Sequence, residues 1–292
     1  MNKEIQKLGI VDVGGGTRGI YGAGVLDYCM DQGIRADYFI GVSAGAANGA
    51  SYAAGQRGRN LVFYNDYAFR KDYMGVGNFL KKGSYINLDY IYSTLSDAGG
   101  ENPLDYQSLQ ASPMELEIVA TNADTGRAVY FNKKDLGQNF YDPIKASCCV
   151  PVLCKPYPVD GIPYFDGGIS DPIPFRRAFQ AGCTKVIVIL TKPRDFFREE
   201  DADRRLVLLL KRKYPKAAQA LQQRGKVYNR SLRELLKLEK EGKAIIIAPS
   251  DTGNLRTLTQ DHDELLRLYE MGKRDGENRL GPEFGPGRIG KI

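Results

Sequence analysis

Gly41-Val42-Ser43-Ala44-Gly45 reads G-x-S-x-G. It lies between a short apolar run, Tyr38-Phe39-Ile40, and a run of small residues from Ala46 to Ala54. A strand, a tight turn carrying serine and then a small-residue helix is the setting of a nucleophile elbow. The glycines at 41 and 45 leave room for a strained turn wedged between strand and helix. The same five residues also serve as a plain Gly/Ser turn, so the weight of the reading falls on the rest of the chain.

Upstream, Leu8-Gly9-Ile10-Val11-Asp12-Val13 is a buried-type strand, and Gly14-Gly15-Gly16-Thr17-Arg18-Gly19 is a glycine-rich loop. Ile20 to Gln32 has helical spacing, with Tyr21, Val25 and Cys29 four apart and Gly33 as its stop. Residues 8–55 are therefore a βαβα unit, which implies parallel strands and a right-handed crossover. Residues 57–112 are rich in Tyr and Phe and are broken by Gly75, Gly77, Gly83, Gly99 and Gly100. That stretch reads equally as a lid over an apolar site and as an outer helical layer with ordinary aromatic packing.

Further on, Glu115–Thr121 and Arg127–Phe131 form a hairpin around Asn122–Gly126, and Asp142–Cys149 is a short helix. Pro163-Tyr164-Phe165 leads into Asp166-Gly167-Gly168, and Pro174–Ala181 is a helix. Lys185–Thr191 and Lys243–Pro249 are buried strands. Between them lie helices at 200–211 and 214–241, the second expected to break near Gly225. A last helix is expected over 260–271, with the tail from Gly272 fraying.

Composition bounds the answer. The 292 residues suit one large α/β domain, 42% hydrophobic and 26% charged. No apolar run reaches membrane-spanning length, and Met1–Lys7 lacks the apolar core of a signal peptide. The five cysteines, an odd count, read as the reduced thiols of a cytoplasmic protein. A zinc site at Cys148, Cys149 and Cys154 would have only the distant His262 to draw on. Of the net charge of +6, Lys192–Lys243 supplies 16 Lys/Arg against 8 Asp/Glu. That segment is either a solvated, ion-paired helix face or a peripheral contact for anionic membrane. No nucleic-acid-binding signature is present.

Gly14-x-Gly16-x-x-Gly19 between strand and helix has dinucleotide-fingerprint spacing. A dinucleotide site wants an acid at the end of the second strand, where this chain has Gly41-Val42-Ser43; Asp37 stands at the strand's beginning. The alternative use of such a loop is to present amides to a developing oxyanion. A serine nucleophile also needs a base. His262 sits among acids at the start of a polar helix and reads as a solvated imidazole, whereas Asp166 stands at a strand end before two glycines.

Together these pieces resemble the patatin-like phospholipase family, whose motifs run D-G-G-G-x-R-G, G-x-S-x-G and D-G-G/A in that order. The matching residues are Val13 to Gly19, Gly41 to Gly45 and Asp166 to Gly168, with Val13 where the family often has Asp and Asp12 one place earlier. Ala146-Ser147-Cys148-Cys149-Val150-Pro151 and Asp171-Pro172-Ile173-Pro174 resemble the family's segments on either side of the acid. The resemblance covers residues 8–180. Residues 181–292 are expected to add the last strands and a helical extension packed on the same domain.

The resemblance implies a three-layer α/β/α sandwich with a central, mostly parallel sheet and a Ser-Asp dyad. Ser43 would be nucleophile and Asp166 proton acceptor, with Gly14, Gly15 and Gly16 forming the oxyanion hole. Arg18, Gly19, Gly41, Gly45, Gly167 and Gly168 would support these motifs, and no metal or cofactor is required. The expected activity is hydrolysis of lipid carboxylic esters. The same dyad would also serve an acyltransferase, and a lipid-binding regulatory protein with vestigial chemistry is the rival of another class.

Overall fold

The computed structural model describes residues 6–284. β1 (Leu8–Asp12) passes through the glycine loop and a 3-10 turn, Gly16–Gly19, into α1 (Ile20–Asp31). β2 (Tyr38–Val42) feeds α2 (Ala44–Ala53) through the Ser43 turn. The aromatic-rich stretch holds α3 (Arg59–Asn65), α4 (Val76–Lys82), a π-helical segment at Tyr90–Thr94 and α5 (Tyr106–Ala111). β3 (Glu115–Asn122) and β4 (Ala128–Asn132) follow, then α6 (Asp142–Ser147), β5 (Tyr157–Val159) and β6 (Ile162–Asp166). α7 (Phe175–Gln180), β7 (Lys185–Ile189), α8 (Arg204–Leu210), α9 (Pro215–Lys240), β8 (Ala244–Ile247) and α10 (His262–Phe284) complete the described residues.

The strands make one mixed sheet in the order β5-β6-β3-β2-β1-β7-β8, with β4 paired to β3. β3, β2, β1, β7 and β8 are mutually parallel; β4, β5 and β6 join antiparallel. Alternate residues of each central strand enter different cores. Ile10, Phe39 and Ile187 pack with α1, α2 and α10, while Val11, Ile40 and Val188 pack with α7 and α9. Both faces of the sheet are covered, in keeping with the near-continuous apolar runs at the centres of its parallel strands. The three-layer α/β/α arrangement is the expected fold class.

Two expectations need correction, both at glycines. α9 runs unbroken through Gly225, which is buried; a Cβ there would stand 3.1 Å from the Glu199 carbonyl oxygen. α10 continues to Phe284 instead of fraying at Gly272. Gly272 and Gly24 are the points where α10 and α1 touch backbone to backbone. A Cβ on Gly272 would fall 2.2 Å from the Tyr21 carbonyl oxygen, and one on Gly24 would fall 2.2 Å from that of Tyr269. Tyr269 also donates to Asp27 at 2.6 Å across this contact. In all three places the glycine admits a neighbouring segment; it does not weaken its helix.

The β5–β6 hairpin went unread in the sequence, although Asp160-Gly161 signals it. Both residues have positive φ, 50° and 78°, as a tight two-residue hairpin turn requires.

Candidate active site

Ser43 follows the last residue of β2 and precedes the first of α2. Its backbone lies at φ 56°, ψ −129°, a conformation that L-residues adopt only under constraint. The constraint is close packing. A Cβ on Gly41 would meet Ala46 nitrogen at 2.5 Å, and one on Gly45 would meet the Asp12 carbonyl oxygen at 2.3 Å. α2 is thereby pressed against β1 and β2, and the serine is pushed up at the turn. Its N–H donates to Ser147 Oγ at 2.8 Å, and that hydroxyl donates to the Val119 carbonyl of β3 at 2.6 Å.

The same strand positions the acid. Val119 pairs with Val42 and the next residue, Ala120, pairs with Asp166. Ser43 and Asp166 thus emerge at adjacent levels of one strand, though 123 residues separate them in sequence. Both are buried. Burial pushes the Asp166 carboxyl above the usual carboxylate range, opposed by hydrogen bonding from the Ser43 side chain, by the charge of Arg224 and by the Gly168 amide. That amide donates to Asp166 Oδ1 at 2.8 Å. Gly167 sits over β3, where a Cβ would stand 2.2 Å from the Val119 carbonyl oxygen.

The glycine loop leaves the neighbouring strand, since Asp12 pairs with Gly41. Several amides here are spoken for. Val13 N–H donates to Ile189, Gly14 N–H to Asp12 Oδ1 and Thr17 N–H to Thr257. The amides of Gly15 and Gly16 donate to no acceptor among the described residues. Positive φ at Gly14, Gly15 and Gly16 (61°, 129° and 62°) turns the loop into the site. Gly14 lies too close to Val42 for any side chain, and its carbonyl accepts from the Thr191 hydroxyl. Gly19 packs on Ala44 and the Tyr64 hydroxyl.

Asp12, one place before the family's usual acid, holds this loop from beneath. Its carboxylate accepts from Gly14 N–H at 2.9 Å and from Asn48 Nδ2 at 2.9 Å. Asn48 also donates to the Gly19 carbonyl and accepts from the Tyr64 hydroxyl. Burial lifts the Asp12 carboxyl to about 6, against the Asn48 and Gly14 hydrogen bonds. The Val13 departure therefore leaves the loop anchored, by an acid one residue displaced.

A cavity of about 730 Å³, open mouth included, extends from Ser43. Phe63, Tyr64, Tyr73, Ile86, Leu88, Ile91 and Tyr92, all from the aromatic-rich stretch, supply much of its apolar wall; Ala47, Cys148 and Leu258 add to it. That stretch is thus the roof of an apolar pocket at the serine. Its apolar lining suits an acyl chain.

His262 lies elsewhere. Its ring stacks on Phe69 at 3.6 Å and its Nδ1 is 3.3 Å from Asn65 Oδ1. Cys148 lies 3.3 Å from the Tyr92 hydroxyl, and Cys149 donates to the Lys155 carbonyl at 2.7 Å. Among the described residues no three His, Cys, Asp or Glu side chains gather as metal ligands.

Sequence reasoning missed Asn48, Thr191 and Thr257, and noted Ser147 only as part of a motif. None carries a local signal, because each acts on a segment distant in sequence.

A mixed sheet between two helical layers, with a serine forced to positive φ at a strand–helix turn, defines an α/β protein of the nucleophile-elbow type. The model of the patatin-like phospholipases matches residues 13–179, more than half of the chain, which belongs to that family. A domain of unknown function (DUF6363) matches residues 214–282. The uncharacterized protein YjjU of Escherichia coli strain K12 is 28% identical over 204 residues, covering 65% of this chain and 54% of YjjU. An uncharacterized NTE family protein of Mycobacterium tuberculosis, Rv1063c, is 28% identical over 160 residues, covering 55% of this chain and 42% of that protein. This chain therefore spans about half the length of these relatives. The crystal structure of VipD from Legionella pneumophila aligns at TM-score 0.49 and 15% identity, over 95% of this chain and 67% of that one. At the level of the family, membership supports lipid ester hydrolysis.

Proposed function

We propose that this protein is a serine acyl hydrolase of lipid carboxylic esters acting through Ser43 and Asp166. The observation that carries the reading is a strained serine on the wall of an apolar pocket, flanked by a buried carboxylate and by a glycine loop whose Gly15 and Gly16 amides donate to no acceptor among the described residues. The acyl chain lies along the aromatic wall and the ester carbonyl sits over Ser43. Asp166 accepts the hydroxyl proton as Oγ attacks the carbonyl carbon. Gly15 and Gly16 N–H stabilise the oxyanion. Collapse of the tetrahedral adduct expels the alcohol, which takes the proton back, and water then releases the fatty acid by the same route. Residues 8–180 supply this chemistry; residues 181–284 complete the sheet and the helical layers around it.

The test is covalent labelling by a fluorophosphonate together with hydrolysis of p-nitrophenyl butyrate. Wild type labels and turns over. Equal labelling of Ser43→Ala would remove Ser43 as the nucleophile.

We further propose peripheral contact with anionic membrane through the basic segment 192–243. Leu208 and Leu209 of α8 are each 65% exposed, between exposed Arg204 and Arg205 on one side and exposed Lys211, Arg212 and Lys213 on the other. Apolar tips ringed by cations suit an interfacial contact. Among the described residues no helix is long and apolar enough to cross a membrane. Co-sedimentation with vesicles should rise with anionic lipid and fall with salt; binding indifferent to both would exclude this surface.

A further inference from the structure

Three arginines from distant parts of the chain converge beside the dyad. Arg18 ends the glycine loop, Arg198 lies between β7 and α8, and Arg224 is on α9. A Cβ on Gly15 would stand 3.5 Å from Arg18 Nη2. One on Gly168 would stand 3.4 Å from Arg224 Nη2 and 3.0 Å from Asp166 Oδ1. One guanidinium therefore borders the oxyanion loop and another borders the base. Asp203 ties Arg198 to Arg224, its carboxylate 3.1 Å from Arg198 Nη2 and 3.9 Å from Arg224 Nη1. Lys192 adds a fourth cation, close enough to Arg18 and Arg198 to feel both. None of the four lines the apolar pocket.

The cluster is short of negative charge. Asp203 answers two arginines, Asp166 faces Arg224, and Arg18 makes no ion pair among the described residues. The Nε atoms of Arg18, Arg198 and Arg224 are all buried without a hydrogen-bond partner. Burial and the charges of Arg198 and Arg224 push the Arg18 guanidinium down to about 10. Cations held this way cost stability unless an anion meets them. The Arg198 and Arg224 side chains still keep 21% and 28% of their surface exposed, so a ligand from solvent can reach them. Tetrahedral oxyanions match several guanidinium forks at once.

We propose that Arg18, Lys192, Arg198 and Arg224 form a binding site for a phosphate group, either the phosphomonoester of a lipid head group or free inorganic phosphate, adjoining Ser43 and Asp166. The head-group source rests on the proposed hydrolase activity; the site itself does not.

Inorganic phosphate titrated into the full-length protein, against chloride at matched ionic strength, tests the site without any turnover. Phosphate should raise Tm saturably, and 31P NMR should show specific binding that Arg198→Met and Arg224→Met each weaken about tenfold or more. No advantage of phosphate over chloride in wild type, or wild-type binding in both variants, would overturn the site. A second arm compares hydrolysis of an acylglycerol 3-phosphate with that of the uncharged monoacylglycerol. A preference of about tenfold or more for the phosphorylated ester, lost in Arg198→Met, assigns the head group. Equal rates on the two esters, both altered by added phosphate, assign free phosphate. Phosphate binding by a protein that no fluorophosphonate labels would sink the hydrolase reading and leave the site standing.

Discussion

The amide of Ser43 donates to the hydroxyl of Ser147 at 2.8 Å, and that hydroxyl donates onward to Val119 of β3. One fully buried side chain thus fastens the elbow to the strand that also carries Asp166 through the pairing of Ala120. Ser147→Ala leaves a buried amide and a buried carbonyl without their partner. It should cost about 1–3 kcal/mol of stability, and kcat should fall more than KM rises, because serine and acid lose their common reference. Urea unfolding and steady-state kinetics on a chromogenic ester check this; an unchanged kcat would mean that the elbow holds itself.

Strain at Ser43 makes a prediction of opposite sign for stability. Ser43→Gly relieves the positive φ of 56° while removing the hydroxyl. The variant should be more stable than wild type by about 1 kcal/mol and inert to fluorophosphonate. A loss of stability in this variant would place the strain elsewhere.

Protonation of Asp166 sets the acid limb of activity. The base must be ionised, and burial holds its pKa above that of an exposed carboxylate, so kcat/KM should fall with decreasing pH before ordinary carboxylates protonate. Arg224 opposes that rise. Arg224→Met should therefore move the acid limb to higher pH. A pH–rate profile with an unmoved limb would separate Arg224 from the base.

Asp12 links stability to pH in a defined direction. Its native pKa is lifted to about 6, above the unfolded value near 3.8, so the native state binds the proton more tightly. Stability from this group grows as pH falls from about 6 towards 3.8 and is lost as pH rises through 6. Asp12→Asn cannot gain in this way, and its new amide would face that of Asn48, which already donates to Asp12. The stability gap between wild type and Asp12→Asn should widen from pH 7 to pH 5. Denaturant unfolding at the two values measures it, and a constant gap would contradict the raised pKa.

Gly272→Ala tests the joint between α1 and α10. Its Cβ would fall 2.2 Å from the Tyr21 carbonyl oxygen, so the helices must separate. Overpacking of this kind costs about 1–3 kcal/mol. The melting temperature should drop, and a melt unchanged by Gly272→Ala would mean that the contact is not close.

The sequence by itself determined what short-range backbone geometry encodes. The strand–turn–helix around Ser43, the positive-φ loop at Gly14–Gly16 and the apolar parallel strands all follow from steric preference and periodicity within a few residues. It also raised Asp166, in place of the lone His262, as the partner to expect. Tertiary structure decided the rest. Whether Gly225 and Gly272 break a helix or admit a neighbour depends on the Glu199 and Tyr21 carbonyls they meet, and those are far away in the chain. The anchors Asn48, Ser147 and Thr257 and the arginines that gather near Asp166 act across long sequence separations, through hydrogen bonds and charge. Such couplings leave no periodic trace, because they depend on which surfaces the packed sheet and helices bring face to face.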